Sequence, residues 1–195
     1  MFKVIKTVAV GLFALISFQF STDITKAYTV NKGDTLWSIG VEHGVSVLDL
    51  KEINKKNTMH VREGEYLHIP ESITSSERDL LERLVSSEAE GESYAGKVAV
   101  ATVVLNRVSS SEFPNTINEV IYDVSATGNP SFSPVMDGSI HEPADAQSKK
   151  AVKEALAFEG MGSGSLFFYN PAIATNHWIS TRETTSVIGN HVFAK

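Results

Sequence analysis

Residues 87–108 read Ser87-Glu88-Ala89-Glu90-Gly91-Glu92-Ser93-Tyr94-Ala95-Gly96-Lys97-Val98-Ala99-Val100-Ala101-Thr102-Val103-Val104-Leu105-Asn106-Arg107-Val108. From Tyr94 to Leu105 the stretch is apolar on nearly every side. Its β-branched content would suit a strand, but its length favours a buried helix with smaller elements wrapped around it. Upstream, Leu80, Leu81, Leu84 and Val85 recur at spacings of three and four, which predicts an amphipathic helix from about Glu77. Ser76 and Asp79 have the spacing of a capping box at its start. Four residues past Leu84, the same stripe presents Glu88 instead of an apolar residue.

A carboxylate on the buried face of a helix is costly unless it is paired or protonated. Desolvation raises its pKa, which suits a general acid working near neutral pH. Pattern alone favours a structural glutamate pinned by Arg83 or Arg107, since acids on helix faces are common and catalytic ones rare. Glu90 falls on the opposite, solvated side. Glu92 would share the face of Glu88 unless Gly91 ends the helix first, and two such carboxylates would repel and push one pKa further up.

Downstream, Phe113-Pro114, Gly128-Asn129-Pro130 and Phe132-Ser133-Pro134 mark long loops. Asp145 to Phe158 returns to helical spacing through Ala146, Ala151, Val152, Ala155 and Leu156, and Gly160, Gly162 and Gly164 break it. Leu166-Phe167-Phe168-Tyr169 reads as a strand ending in Asn170-Pro171. Val187 to Phe193 reads as a terminal strand or hairpin arm.

Upstream of a short polar linker over 71–76 lies a smaller module, 28–70. Tyr28-Thr29-Val30 is a short strand and Gly33-Asp34 is turn chemistry. Thr35 caps a helix carrying Leu36 and Ile39, and Ser46 caps a second with Val47, Leu50 and Ile53. Tyr66 to Ile69 is a closing strand stopped by Pro70, so the order is βααβ. Trp37 is expected to be a core anchor, because so small a module has little else to bury.

The whole chain has 195 residues, 42% apolar and 21% charged, which excludes wholesale disorder. Its 17 basic and 23 acidic residues give a net charge of −6, against the basic surplus a nucleic-acid binder needs. It has no cysteine, which removes disulfide scaffolds, thiolate zinc sites and cysteine nucleophiles. The acidity is uneven: 28–70 holds five basic and six acidic residues, 71–195 nine and sixteen. At the start, Lys3 and Lys6 precede an apolar run from Thr7 to Phe20, and Thr25-Lys26-Ala27 offers small residues to a signal peptidase. The run is shorter than the about 20 residues of a comfortable membrane span. A secretory signal peptide over 1–27 is therefore expected, with an uncleaved N-terminal anchor as the alternative.

Two resemblances follow from these residues. Tyr28-Thr29-Val30-Asn31-Lys32-Gly33-Asp34-Thr35-Leu36-Trp37-Ser38-Ile39, with Asn54 and Tyr66-Leu67-His68-Ile69-Pro70, resembles a LysM domain. That resemblance implies binding of the N-acetylglucosamine-containing glycan of peptidoglycan or chitin. The sugar would lie in a groove between Asp34-Thr35-Leu36 and the loop after Ile53. The segment Ser87 to Val108, with Phe132-Ser133-Pro134-Val135, Phe168-Tyr169-Asn170-Pro171, Trp178 and Ile188 to Phe193, resembles the SleB/CwlJ type of cell-wall hydrolase. Residues 77–195 would form that catalytic domain. The implied fold class is α+β: a βααβ LysM module plus a mainly helical, lysozyme- or lytic-transglycosylase-like domain with a small β-sheet.

The second resemblance implies muralytic activity on the glycan strand as a lytic transglycosylase or muramidase, secreted to the cell wall or spore envelope. Glu88 corresponds to the family's catalytic glutamate, acting as acid and then base. Glu92 is a candidate electrostatic partner, and Tyr169, Asn170 and Trp178 are candidate cleft residues, by stacking on sugar rings or bonding hydroxyls. Tyr169 could equally fill the core and Asn170-Pro171 form a turn. His191, within an apolar strand, reads as a core histidine, and His177 could be either. No metal or other cofactor is expected. The expected partner is peptidoglycan, with a membrane only if the N-terminal segment stays uncleaved, and the chain is expected to be a monomer. Glu90 stands where the family usually has a more basic residue, and the wall-binding module differs from the usual one, so spore cortex and vegetative wall both stay open. A non-catalytic wall-binding protein and a peptidoglycan amidase are the alternatives, although no His-Glu-x-x-His cluster is present.

Overall fold

The chain begins its described structure with strand β1 (Lys26–Thr29), antiparallel to β2 (Tyr66–Ile69) in the register Lys26 to Ile69 and Thr29 to Tyr66. The computed structural model describes residues 26–125, 128–174 and 178–195. The segment before Lys26 and His177 therefore lie outside the described residues. The cleavage point expected after Ala27 falls inside β1, where Lys26 and Ala27 pair with Ile69 and His68.

Between these strands come α1 (Leu36–His43) and α2 (Val47–Ile53). Thr35 caps α1 in a reciprocal box with Ser38, and Ser46 caps α2, as their residue types predict. Val30, Leu36, Ile39, Leu50, Leu67 and Ile69 fill this small core. Trp37 does not: it is 40% exposed. Leu36 and Ile39 already turn toward the sheet, and Trp37, one position round the helix, turns outward to the second domain instead.

The connection is docked, not loose. Ser72 donates its hydroxyl to the Gly44 carbonyl and Ile73 packs on the large core. Helix α3 (Ser75–Glu88) then starts earlier than the sequence suggests, because Thr74 and Glu77, not Ser76 and Asp79, form the capping box. Helix α4 (Tyr94–Val108), capped by Ser93, is the predicted central helix. Helix α7 (Ala146–Phe158) packs along it, capped by Asp145. The buried Lys97 ammonium on α4 reaches Asp145 at 3.1 Å and Ser148 at 2.9 Å. Between α4 and α7 the expected long loops contain two short helices, α5 (Ile117–Ile121) and α6 (Ser133–Asp137).

Leu81, Leu84, Val85, Val100, Val104, Ile121, Phe132 and Val152 form the main core. A three-stranded antiparallel sheet closes the chain: β3 (Phe167–Tyr169), β4 (Thr184–Ile188) and β5 (His191–Ala194), in the order β3-β5-β4. The stretch Val187 to Phe193, expected as one terminal strand or hairpin arm, instead holds the turn of the β4–β5 hairpin at Gly189-Asn190. The two domains share a packed boundary. Ala157 of α7 belongs to the small core, and Phe158 meets the Trp37 ring edge-on at 6.3 Å.

Candidate active site

Glu88 is the last residue of α3. Leu81, Leu84 and Val85 bury their face of this helix, and the stripe carries Glu88 to the rim of the core. Its Oε1 accepts the backbone N–H of Ser133 at 2.8 Å. Ser133 opens α6, so this amide has no partner within its own helix. Burial raises the Glu88 pKa; the Ser133 hydrogen bonds and the Arg107 charge oppose that shift, and the Asp137 charge adds to it. The net direction is upward, toward the protonated form that a general acid uses.

Arg107, from the last turn of α4, is buried beside this group. Its Nε donates to the Leu166 carbonyl at 2.8 Å, and its guanidinium lies 4.9 Å from the Phe113 ring and 5.0 Å from Phe132. Burial lowers its pKa to about 10, so it remains a cation at neutral pH. The charges of Asp123 and Glu88 hold it up against that burial. Asp123 also lines a hollow of about 690 Å³ with Phe113, Asn118, Glu119 and Tyr122. Asp137, the carboxylate whose charge acts on Glu88, accepts the Ser139 amide at 2.9 Å, which lowers its pKa.

Trp178 joins the same aromatic cluster. It meets Phe167 edge-on at 5.3 Å and is 51% exposed, and the Arg182 guanidinium lies 4.8 Å from its ring and 4.7 Å from Phe167. Phe167 in turn lies 5.7 Å from Arg107, which connects Trp178 to the surroundings of Glu88. Tyr169 is half-buried in β3 opposite Val192, and strand alternation puts it on the face of Phe167. The Asn170 carboxamide oxygen accepts the Ala172 amide at 3.0 Å, and its carbonyl accepts from Ala174 and Ile173, so Asn170 builds a turn.

Glu92 is not brought to Glu88. Helix α3 ends at Glu88, and the chain turns at Gly91 (φ 77) before Glu92. The Glu92 side chain, 8% exposed, lies 3.4 Å from His191 Nδ1 and 3.5 Å from Asn190 Nδ2. A Cβ at Gly189 would stand 2.4 Å from its Oε2, and Gly189 itself has φ 58. A side chain at this positive φ would be strained, and its Cβ would push the Glu92 carboxylate aside. Glu92 is thus a clamp between the α3–α4 connection and the β4–β5 hairpin, which corrects its expected place as an electrostatic partner of Glu88. His191 packs edge-on against Phe168 at 5.4 Å and belongs to that clamp.

In the small domain, Asp34 accepts Tyr28 Oη and the Asn31 amide, both at 2.7 Å, and Thr35 is the α1 cap. Leu36 is 1% exposed, so its side chain belongs to the core and cannot meet a ligand, a correction to its place in the expected groove. Asn54 bridges α2 to β2 by bonding the Leu50 carbonyl and both backbone groups of His68. Among the described residues, no three histidine, aspartate or glutamate side chains gather where a metal could sit.

Sequence reasoning missed Ser133 as the partner of Glu88, and Arg182 as the cation beside Trp178. Pro134, directly after Ser133, is the available signal for the first, since proline favours a helix's first turn and leaves a free amide beside it. Nothing in the local pattern points to Arg182.

Residues 91–194 match the family described as Cell Wall Hydrolase, and residues 28–70 match the LysM domain. The chain belongs to the cell wall hydrolase family. A spore cortex-lytic enzyme of Bacillus cereus is 38% identical over 128 residues, 66% of this chain and 48% of that protein. Any stretch that long in a 195-residue chain includes position 88. This cell wall hydrolase spans about half the length of the curated relatives it matches first. The solved catalytic domain of the germination-specific lytic transglycosylase SleB from Bacillus anthracis shares 38% identity at a TM-score of 0.58, covering 65% of this chain and all of that one. The cell wall-binding protein YocH of Bacillus subtilis is 45% identical over 51 residues, 26% of this chain and 18% of that protein.

Proposed function

We propose that this cell wall hydrolase cleaves the glycan strand of peptidoglycan by lytic transglycosylation, with Glu88 as its single proton-transfer residue and the LysM domain as its hold on the wall. The observation that carries the reading is the contrast between two carboxyls. Glu88 is desolvated, raised in pKa and held by one amide at an exposed serine, whereas Glu92 is enclosed by the hairpin. Ordinary glycoside hydrolysis uses two carboxyl groups flanking the bond. Transglycosylation can proceed with one. Glu88 gives its proton to the departing glycosidic oxygen as the C1–O bond breaks. The carboxylate then takes the proton of the muramic acid 6-hydroxyl as O6 bonds to C1, closing an anhydro ring without water.

Arg107 supports the second half-step, because its positive charge favours the carboxylate form that Glu88 takes after the first. Trp178 and Tyr169 supply aromatic surface for sugar rings, and Asn170 shapes the turn between them. The wall of a spore, its cortex, is the proposed target, because the relatives that match this domain are spore cortex-lytic enzymes. The N-terminal segment is proposed to direct export. A cut after Ala27 would leave Tyr28 and Thr29 as the remaining strand residues of β1, and N-terminal sequencing of exported protein reads where the cut falls.

Digestion of purified peptidoglycan by the full chain and by Glu88→Gln, with mass analysis of the fragments, tests the chemistry. Anhydro-muramic ends that vanish in Glu88→Gln are expected. Reducing muramic ends would mean hydrolysis, with Asp137 the first residue to examine as a second carboxylate. New free amino groups would mean a peptide-cleaving enzyme, and no release would leave a wall-binding protein.

A further inference from the structure

A groove formed by both domains does not contain Glu88. It lies on the opposite side of α4, where that helix, α7, the glycine-rich segment after α7 and β4 meet the LysM domain, and it encloses about 570 Å³. That size is within the roughly 300–1,000 Å³ typical of small-molecule sites. Neither the glycan groove expected of the LysM module nor the Glu88 site accounts for it.

Three features define its chemistry. Trp37 reaches it from α1, held edge-on by Phe158 yet 40% exposed, so an indole surface is left uncovered two residues after Thr35. Ala95 and Ala99, on the outer face of α4, form a shallow apolar floor. At one side Tyr94 donates its hydroxyl to Glu154 Oε2 at 2.6 Å, and the serine hydroxyls of Ser163 and Ser186 lie across from them. Among the described residues, Glu154 and Tyr94 are the only lining groups that ionise, and no cation lines the groove. Burial and the Glu154 bond push the Tyr94 hydroxyl up to about 12, so it stays a donor. A single negative charge disfavours phosphate or carboxylate ligands. Exposed indole, an apolar floor and an acid–hydroxyl rim suit an uncharged ligand with one apolar face and several hydroxyls.

We propose that this junction groove is a subsite for one or two N-acetylhexosamine units, with a ring on Trp37, the acetamido methyl on Ala95 and Ala99, and hydroxyls on Glu154. It rests on the proposed glycan substrate and adds where the strand runs: from the LysM domain across Trp37 onto the catalytic domain. Because Trp37 belongs to one domain and Glu154 to the other, the subsite exists only while the two remain packed together.

The chain has two tryptophans, so Trp178→Phe in the full chain leaves Trp37 as the only indole. Its emission is followed during titration with a β-1,4-linked N-acetylglucosamine tetramer, and separately with a stem tripeptide. A saturable change with the tetramer is expected, weakened at least fivefold when Ala99→Phe fills the floor. If Ala99→Phe does not fold, Glu154→Ala carries the same comparison from the other wall. An unresponsive Trp37 overturns the subsite, as does a response that neither substitution weakens, since the sugar is then in the LysM groove alone. A response to the tripeptide and not the tetramer overturns it in favour of a peptide ligand. Any of these with anhydro-muramic products still released leaves the proposed activity standing. Product release is read on the unsubstituted chain, because Trp178 itself stands in the proposed cleft, and loss of those products there removes the reading beneath it.

Discussion

The end of α3 and the start of α4 hold two glutamates only four residues apart, with opposite fates. Glu88 stays on the helix, follows the apolar stripe to the core's edge, and meets the first amide of α6 at 2.8 Å. Glu92 follows a turn at Gly91 and faces the β4–β5 hairpin, where His191, Asn190 and Gly189 enclose it. Identical side chains thus become a poised acid and a structural clamp. The difference lies in what packs against each. One has a rim open to solvent at Ser133, and the other has a hairpin over it.

The comparison breaks most visibly at Glu88 itself. Glu88→Gln should lower glycan cleavage by on the order of 10²–10⁴-fold, the usual contribution of a positioned proton donor, with no loss of Tm. Release of muropeptides and a thermal melt measured together check this. Glu92→Ala should do the reverse. Removing the carboxylate ends its contacts with His191 and Asn190 between the α3–α4 connection and the hairpin, at a cost on the order of 1 kcal/mol. For a chain of this size that lowers Tm by roughly 2–4 °C per kcal/mol, while cleavage per folded molecule falls less than tenfold. A Glu92→Ala protein that melts normally but does not cleave would erase the distinction.

pH sharpens it further. The Glu88 pKa is raised on folding, so its contribution to stability is fully present below the ordinary glutamate value and is lost as pH rises through the raised one. Cleavage should decline over that same rise as the acid loses its proton. The Tm advantage of Glu88→Gln over the parent chain should widen toward alkaline pH. A pH-independent gap would mean that Glu88 is solvated. The smallest effect belongs to the far end of the same helix: Thr74→Ala removes the α3 cap at about 1 kcal/mol and leaves cleavage unchanged. Circular dichroism melts and the cleavage assay read both.

Much of this was legible locally. Caps at Thr35 and Ser46 and the apolar helix α4 follow from short-range residue preferences, and the structure has them all. The start of α3 was misplaced because two capping pairs lie within six residues, and only packing of Ile73 and docking of Ser72 select Thr74 with Glu77. Helices α5 and α6 were hidden within expected loops, since each is five residues long and short helices depend on tertiary contacts. Trp37 was assigned to the wrong core because the sequence does not announce that a second domain stands beside α1.

Residue patterns account for the βααβ module, the central helix, the stripe that ends on Glu88 and, through its motifs, the family. These depend on periodicity and on residue types at fixed spacings, which act over a few residues. Long-range packing sets the hold of Ser133 on Glu88, the enclosure of Glu92 by the hairpin, and the place of Trp37 across a groove from Glu154. Each joins residues from 45 to more than 100 positions apart. Burial and hydrogen-bond partners at such separations arise from how the helices and hairpin pack.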